Sequence, residues 1–153
     1  MTRRIDALLA EYGESHQNPT NKAVHWVCVP AIVWSLMALL WSLPFPGGVT
    51  WLNWLSLVVA GALVYYLLLS PPLALGFALF AALMVWLITL VASAVPLPLW
   101  QVALAVFVLA WIGQFWGHKI EGKKPSFFKD VQFLLIGPAW LMSFLYRRLG
   151  LPI

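Results

Sequence analysis

Between Lys22 and Lys119 the chain carries no Asp, Glu, Lys or Arg. Charged residues make up 9% of its 153 residues, against about 25% in soluble domains. A helical bundle in water needs charged outer faces, and residues 23 to 117 cannot supply them. Cysteine is nearly absent as well. Cys28 stands alone, which excludes an internal disulfide and a thiolate metal site, and leaves Cys28 as a small apolar residue. Three histidines in all argue against a di-iron membrane desaturase or hydroxylase, whose histidine boxes need many more. No internal repeat and no low-complexity segment appears. The stretch "MTRRIDALLAEYGESH" lacks an apolar core with a small-residue cleavage site, so no cleavable leader is expected.

Apolar residues are what the chain has in abundance. They reach 63%, against about 45–50% usually, and the mean hydropathy is +0.89. One membrane crossing takes about 20 residues. The uncharged stretch is several times that, and Pro and Gly divide it into four spans at about 19–43, 51–70, 73–94 and 98–117. The breaks are "PFPGG" (44–48), "SPP" (70–72) and "VPLP" (95–98). The expected fold is therefore all-α, a single integral membrane domain over 1–153.

Two further helices flank the spans. Ile5, Leu8, Leu9 and Tyr12 recur at helical spacing opposite Arg3, Arg4, Asp6 and Glu11, which predicts an amphipathic helix over 3–12 on the membrane surface, stopped at Gly13. Asn18 and Pro19 then read as the cap and first position of span one, and Pro30 is expected to kink that span. Residues 130–147 form a C-terminal apolar helix split at Gly137-Pro138. It is expected to lie kinked in the interface or partly inserted, with a fifth crossing as the alternative.

Counting crossings places residues 16–25 and residue 118 on one side of the membrane. That side also holds Arg3, Arg4, Lys22, Lys119, Lys123, Lys124 and Lys129, while the loops opposite hold no charge. The positive-inside rule makes it cytoplasmic. Trp26 and Trp116 fit an aromatic belt there, and Trp41, Trp51 and Trp100 one on the far side. The Lys run serves orientation and attraction to anionic lipid heads, and nothing points to nucleic acid.

All three histidines, His16, His25 and His118, fall at that boundary with Glu121. Asn21 and His25 share a helix face at i, i+4. Asn18 starts the helix and frees His16 to fold back. Gln114, His118 and Glu121 form a polar stripe at spacings of four and three. Gly113 and Gly117 allow another helix to approach closely, and Gly122 and Pro125 end the helix. Three imidazoles and a carboxylate suit a divalent transition metal: zinc with three protein ligands and a water, or Fe(II) with open positions for substrate and O₂. A site at the water–lipid boundary suits an amphiphile, its tail in the bilayer and an anionic head at the metal.

The stretches "YGESHQNPTNKAVHWVCVP" (12–30) and "GQFWGHKIEGKKPSFF" (113–128), with "LIGP" (135–138), resemble the small membrane proteins typified by the fungal 2-hydroxy-palmitic acid dioxygenase. The matching positions are His16, Asn18, Pro19, Asn21, His25 and Pro30, then Gln114, Phe115, Gly117, His118, Glu121 and Pro125. The resemblance implies an Fe(II)-dependent dioxygenase of fatty-acid α-oxidation. It would turn a 2-hydroxy fatty acid and O₂ into the acid one carbon shorter, with loss of CO₂, in a bacterial inner membrane or the endoplasmic reticulum membrane. The family's essential histidines map onto His16, His25 and His118 as metal ligands. Glu121, Asn18, Asn21 and Gln114 would support them, with Glu121 as an alternative ligand. Some members carry a second His where this chain has Gln17.

Other readings of the same residues are a zinc-dependent lipid hydrolase with Glu121 as general base, a b-type cytochrome with haem between His25 and His118, and a non-enzymatic membrane organiser with interfacial histidines.

Overall fold

The computed structural model describes residues 3–46, 52–125 and 132–153. These form six helices and no strand: α1 (Arg4–Glu14), α2 (Pro19–Ser42), α3 (Trp54–Leu69), α4 (Pro71–Ala94), α5 (Leu99–Glu121) and α6 (Phe133–Arg148). Trp51 and Lys129, the glycines of the first expected loop, and the expected starts of the second span and of the C-terminal helix lie outside the described residues.

The helix ends follow local chemistry. Asn18 caps α2 through its side-chain oxygen, which accepts from the Thr20 and Asn21 amides, and Pro19 occupies the first position, where a missing N–H costs nothing. Asn53 and Ser56 form a reciprocal capping box at the start of α3. Ser70 caps α4, followed by two prolines. Gly122 ends α5 in the left-handed conformation at φ 73°, which glycine adopts freely because it has no Cβ.

α2, α4 and α5 are long and apolar enough to cross a membrane. At 1.5 Å per residue, 24 residues span about 36 Å, against roughly 30 Å of hydrocarbon. α3 is equally apolar, but its 16 residues span only about 24 Å. Several large apolar side chains on α3, α4 and α5, among them Leu68, Leu75, Leu79 and Leu109, stay more than half exposed, as a lipid-facing surface requires.

α2 and α5 run antiparallel and form the closest helix pair. A Cβ on Gly113 would come within 2.6 Å of the Cys28 sulfur, and one on Gly117 within 2.5 Å of Asn21 Oδ1. The two glycines thus bring the start of α2 against the end of α5.

Two features differ from the sequence expectation. The apolar face of α1 (Ile5, Leu8, Leu9, Tyr12) is buried in the protein. Tyr12 packs on Phe133 and Trp140 of α6. An amphipathic stripe states that a partner exists without saying whether it is lipid or helix. α6 itself is buried without interruption from Ile136 to Ser143, so it is a core element. Tyr66 and Tyr146 tie it to the rest by donating to the carbonyls of Leu135 and Pro72. α2 runs as one helix through Pro30, over nearly the length expected for span one, and α6 likewise runs through Pro138. Each proline removes one backbone bond, but in apolar surroundings the remaining backbone groups have no better partner than the helix.

Candidate metal centre

His16 stands on the short segment between α1 and α2, His25 near the start of α2, and His118 on the last turn of α5. All three are buried, at 1%, 1% and 5% exposure. One ring nitrogen from each lies within 4.8 Å of the others. The His118 ring centre is 5.0 Å from those of both His16 and His25.

The tautomers follow from the partners. His16 Nδ1 lies 2.5 Å from the Tyr12 carbonyl oxygen, and His25 Nδ1 lies 2.8 Å from the Asn21 carbonyl oxygen. A carbonyl only accepts, so both Nδ1 atoms carry the proton and donate it. Each neutral ring then has a lone pair on Nε2. These two Nε2 atoms point at each other across 2.8 Å. Two lone pairs at that distance repel unless a cation lies between or beside them. A shared proton would put an imidazolium charge into a buried site, which is disfavoured. Burial holds the His16 imidazole down to about 4, so it is neutral near pH 7. The arrangement has the donor set and the outer support of a histidine metal site, in which each ligating ring donates its second N–H to a carbonyl. His118 adds a buried Nδ1 with no hydrogen-bond partner among the described residues. These three residues could hold a divalent metal ion.

Glu121 takes a different place. Its carboxylate accepts from the backbone N–H of Gln17 (2.8 Å), from that of Asn18 (2.9 Å), and from Asn21 Nδ2 (3.1 Å). It fastens the end of α5 to the segment that carries His16. Asn21 is fully buried and also donates to the Ser15 carbonyl at 3.3 Å, so it closes the same segment from inside. Asn18 acts as the cap of α2. Gln114 is 5% exposed, one turn before His118, and its Oε1 has no hydrogen-bond partner among the described residues.

Two residues of the centre are not among the site residues expected from the sequence. Tyr12 supplies the carbonyl for His16 and stacks on its ring at 4.2 Å between centres and 8° between planes. Trp140 covers the same imidazole at 5.1 Å. Tyr12 could have been found, since it precedes His16 by four residues as Asn21 precedes His25. Trp140 could not, because nothing local links it to residue 16.

On one side of the histidines a cavity of about 50 Å³ is lined by His25, Gln114 and His118, and by apolar residues that include Val29, Ile32 and Leu134. On the other side, His16 closes a more open groove that holds both signs of charge, Lys22 and Arg147 with Asp6 and Glu14.

The family model described as 2-hydroxy-palmitic acid dioxygenase Mpo1-like matches residues 2–149. The chain belongs to the Mpo1-like family. A relative from Saccharomyces cerevisiae, 2-hydroxy-palmitic acid dioxygenase MPO1, is 30% identical over 144 residues, which cover 93% of this chain and 79% of the yeast protein. No solved structure matches. In this Mpo1-like chain, the two motifs quoted above are the two halves of the centre. One provides His16 and His25, and the other provides His118 and the Glu121 clamp.

Proposed function

We propose that this protein is an iron(II)-dependent dioxygenase of 2-hydroxy fatty acids, embedded in the membrane with its site at the cytoplasmic boundary. The reaction takes R–CH(OH)–COOH and O₂ to R–COOH, CO₂ and H₂O. The single observation that carries the reading is the pair of neutral imidazoles, His16 and His25, whose Nε2 atoms meet at 2.8 Å beside buried His118. The yeast relative's name supplies the substrate class.

His16, His25 and His118 are the ligands. With these three residues as its holders, a bound iron(II) would keep open positions for substrate and O₂. Glu121 is the supporting group: its oxygens hold the backbone of Gln17 and Asn18 and so position His16. Asn21 fixes both Ser15 and, through its own carbonyl, the ring of His25. Asn18 sets where α2 begins. The apolar wall at Val29, Ile32 and Leu134 receives the first carbons of the acyl chain and keeps bulk water away from the centre.

α3 serves as a fourth crossing beside α2, α4 and α5. The end of the bundle that carries the centre faces the cytoplasm, since Arg3, Arg4, Lys22, Lys119, Lys123 and Lys124 cluster there. A bacterial inner membrane or the endoplasmic reticulum membrane satisfies this orientation.

The test is elemental analysis together with turnover. Detergent-purified protein should contain iron, consume O₂ with 2-hydroxypalmitate, and release CO₂ and the C15 acid. Activity that persists without O₂, or that survives complete metal removal, would overturn the proposal.

A further inference from the structure

We propose that Gln114 selects the substrate by accepting a hydrogen bond from its 2-hydroxyl group. The inference rests on the substrate class proposed above. The side chain is 5% exposed and lines the cavity together with His25 and His118. Its Oε1 is buried with no hydrogen-bond partner among the described residues. A buried amide oxygen left unpaired is unfavourable, so the site is incomplete without a donor.

The chemistry of the head group identifies that donor. An ionised carboxylate only accepts hydrogen bonds, whereas a hydroxyl can donate one. A plain fatty acid would enter the same cavity and leave Oε1 unpaired. A 2-hydroxy acid pairs it. Sites built to hydrogen-bond a hydroxyl reject the analogue lacking it far more strongly than apolar pockets reject a missing methylene. Gln114 precedes His118 by one helical turn, so both side chains lie on one face of α5, with the amide beside the histidine. The cavity itself would also admit a few water molecules, and water alone on Oε1 is the competing assignment.

The measurement is the affinity of the metal-loaded, full-length protein for 2-hydroxypalmitate and for palmitate, by anaerobic calorimetry in detergent. It is made for wild type and for Gln114→Leu, which keeps a buried side chain of similar volume and removes the amide. The preference for the hydroxy acid should fall about tenfold in Gln114→Leu, with palmitate affinity and metal content within about twofold of wild type. An unchanged preference would overturn the assignment and favour water. Should the variant lose its metal or its fold, Gln114→Met, which keeps an unbranched side chain and lacks the amide acceptor, takes its place with the same two ligands, and an unchanged preference overturns the assignment. O₂ consumption by the same wild-type preparation separates the two claims. A Gln114-dependent preference without turnover leaves the binding role standing and removes the reaction. Turnover with no Gln114-dependent preference does the reverse.

Discussion

The Nε2 atoms of His16 and His25 lie 2.8 Å apart, and each ring has its proton held on the opposite nitrogen by the carbonyl four residues upstream. The contact is unfavourable for the protein alone and becomes favourable around a cation. Metal removal is therefore expected to destabilise the protein and not only to silence it. Binding at a hundredfold excess over Kd contributes about 2.7 kcal/mol. Chelator treatment should lower Tm by several degrees, and iron(II) should restore it. His25→Ala and His118→Ala should each lose the bound metal, measured by elemental analysis, and should show no chelator-dependent shift in Tm. A shift that persists in both variants would place the metal elsewhere.

Glu121 distinguishes a ligand from a clamp. Its oxygens accept from three N–H donors of Gln17, Asn18 and Asn21. Glu121→Gln replaces one acceptor with a donor and removes the charge. It loosens the segment that bears His16 but leaves the three imidazoles in place. Metal affinity is expected to fall about 10–100-fold, the range for supporting residues, with stoichiometric loading recovered at high iron. Loss of loading as complete as in His25→Ala would make Glu121 a ligand.

Much of this centre can be read from the chain, and the physics explains the remainder. The cap at Asn18-Pro19 and the stop at Gly122 are local, so the boundaries of α2 and α5 follow from a few residues. Counting four apolar segments as crossings puts residue 118 only on the same side as residues 16–25, and it is the close approach of α2 and α5 at Gly113 and Gly117 that brings them together. The packing of α1 is not local. Its stripe of Ile5, Leu8, Leu9 and Tyr12 would suit a membrane surface equally well, and only the buried run of α6 shows which was chosen. α6 was hard to read for the same reason. Its Gly137-Pro138 pair suggests a break, yet Gly137 is where the Tyr12 hydroxyl approaches, at 3.1 Å from a would-be Cβ.

The close approach of α2 and α5 makes a coupled prediction. A methyl group on Gly113 would meet the Cys28 sulfur at 2.6 Å, and one on Gly117 would meet Asn21 Oδ1 at 2.5 Å and Val24 Cγ1 at 3.3 Å. Overpacking of this kind costs about 1–3 kcal/mol. Gly113→Ala should be rescued in large part by Cys28→Ala, because that change removes the clashing atom, and a double-mutant cycle in thermal stability should show the coupling. Gly117→Ala should instead move Asn21, and with it the carbonyl that holds His25, so metal affinity should fall along with Tm. Independent, additive effects of Gly113→Ala and Cys28→Ala would contradict this packing.

Tyr12 links the N-terminal helix to the chemistry. Its carbonyl orients His16, and its ring lies parallel to the imidazole with 8° between planes. The backbone contribution survives any substitution, so the ring alone can be tested. Tyr12→Phe keeps the stack and should retain metal and turnover. Tyr12→Ala removes a buried ring, at about 3–5 kcal/mol, and leaves the His16 imidazole without its cover on that face. His16 then gains the freedom to rotate away from His25. The expected outcome is a lower Tm together with metal affinity reduced at least tenfold, and Tyr12→Leu should recover stability more than metal binding. If Tyr12→Leu restores both equally, the ring acts only as core volume, and the parallel stack with His16 has no part in holding the centre.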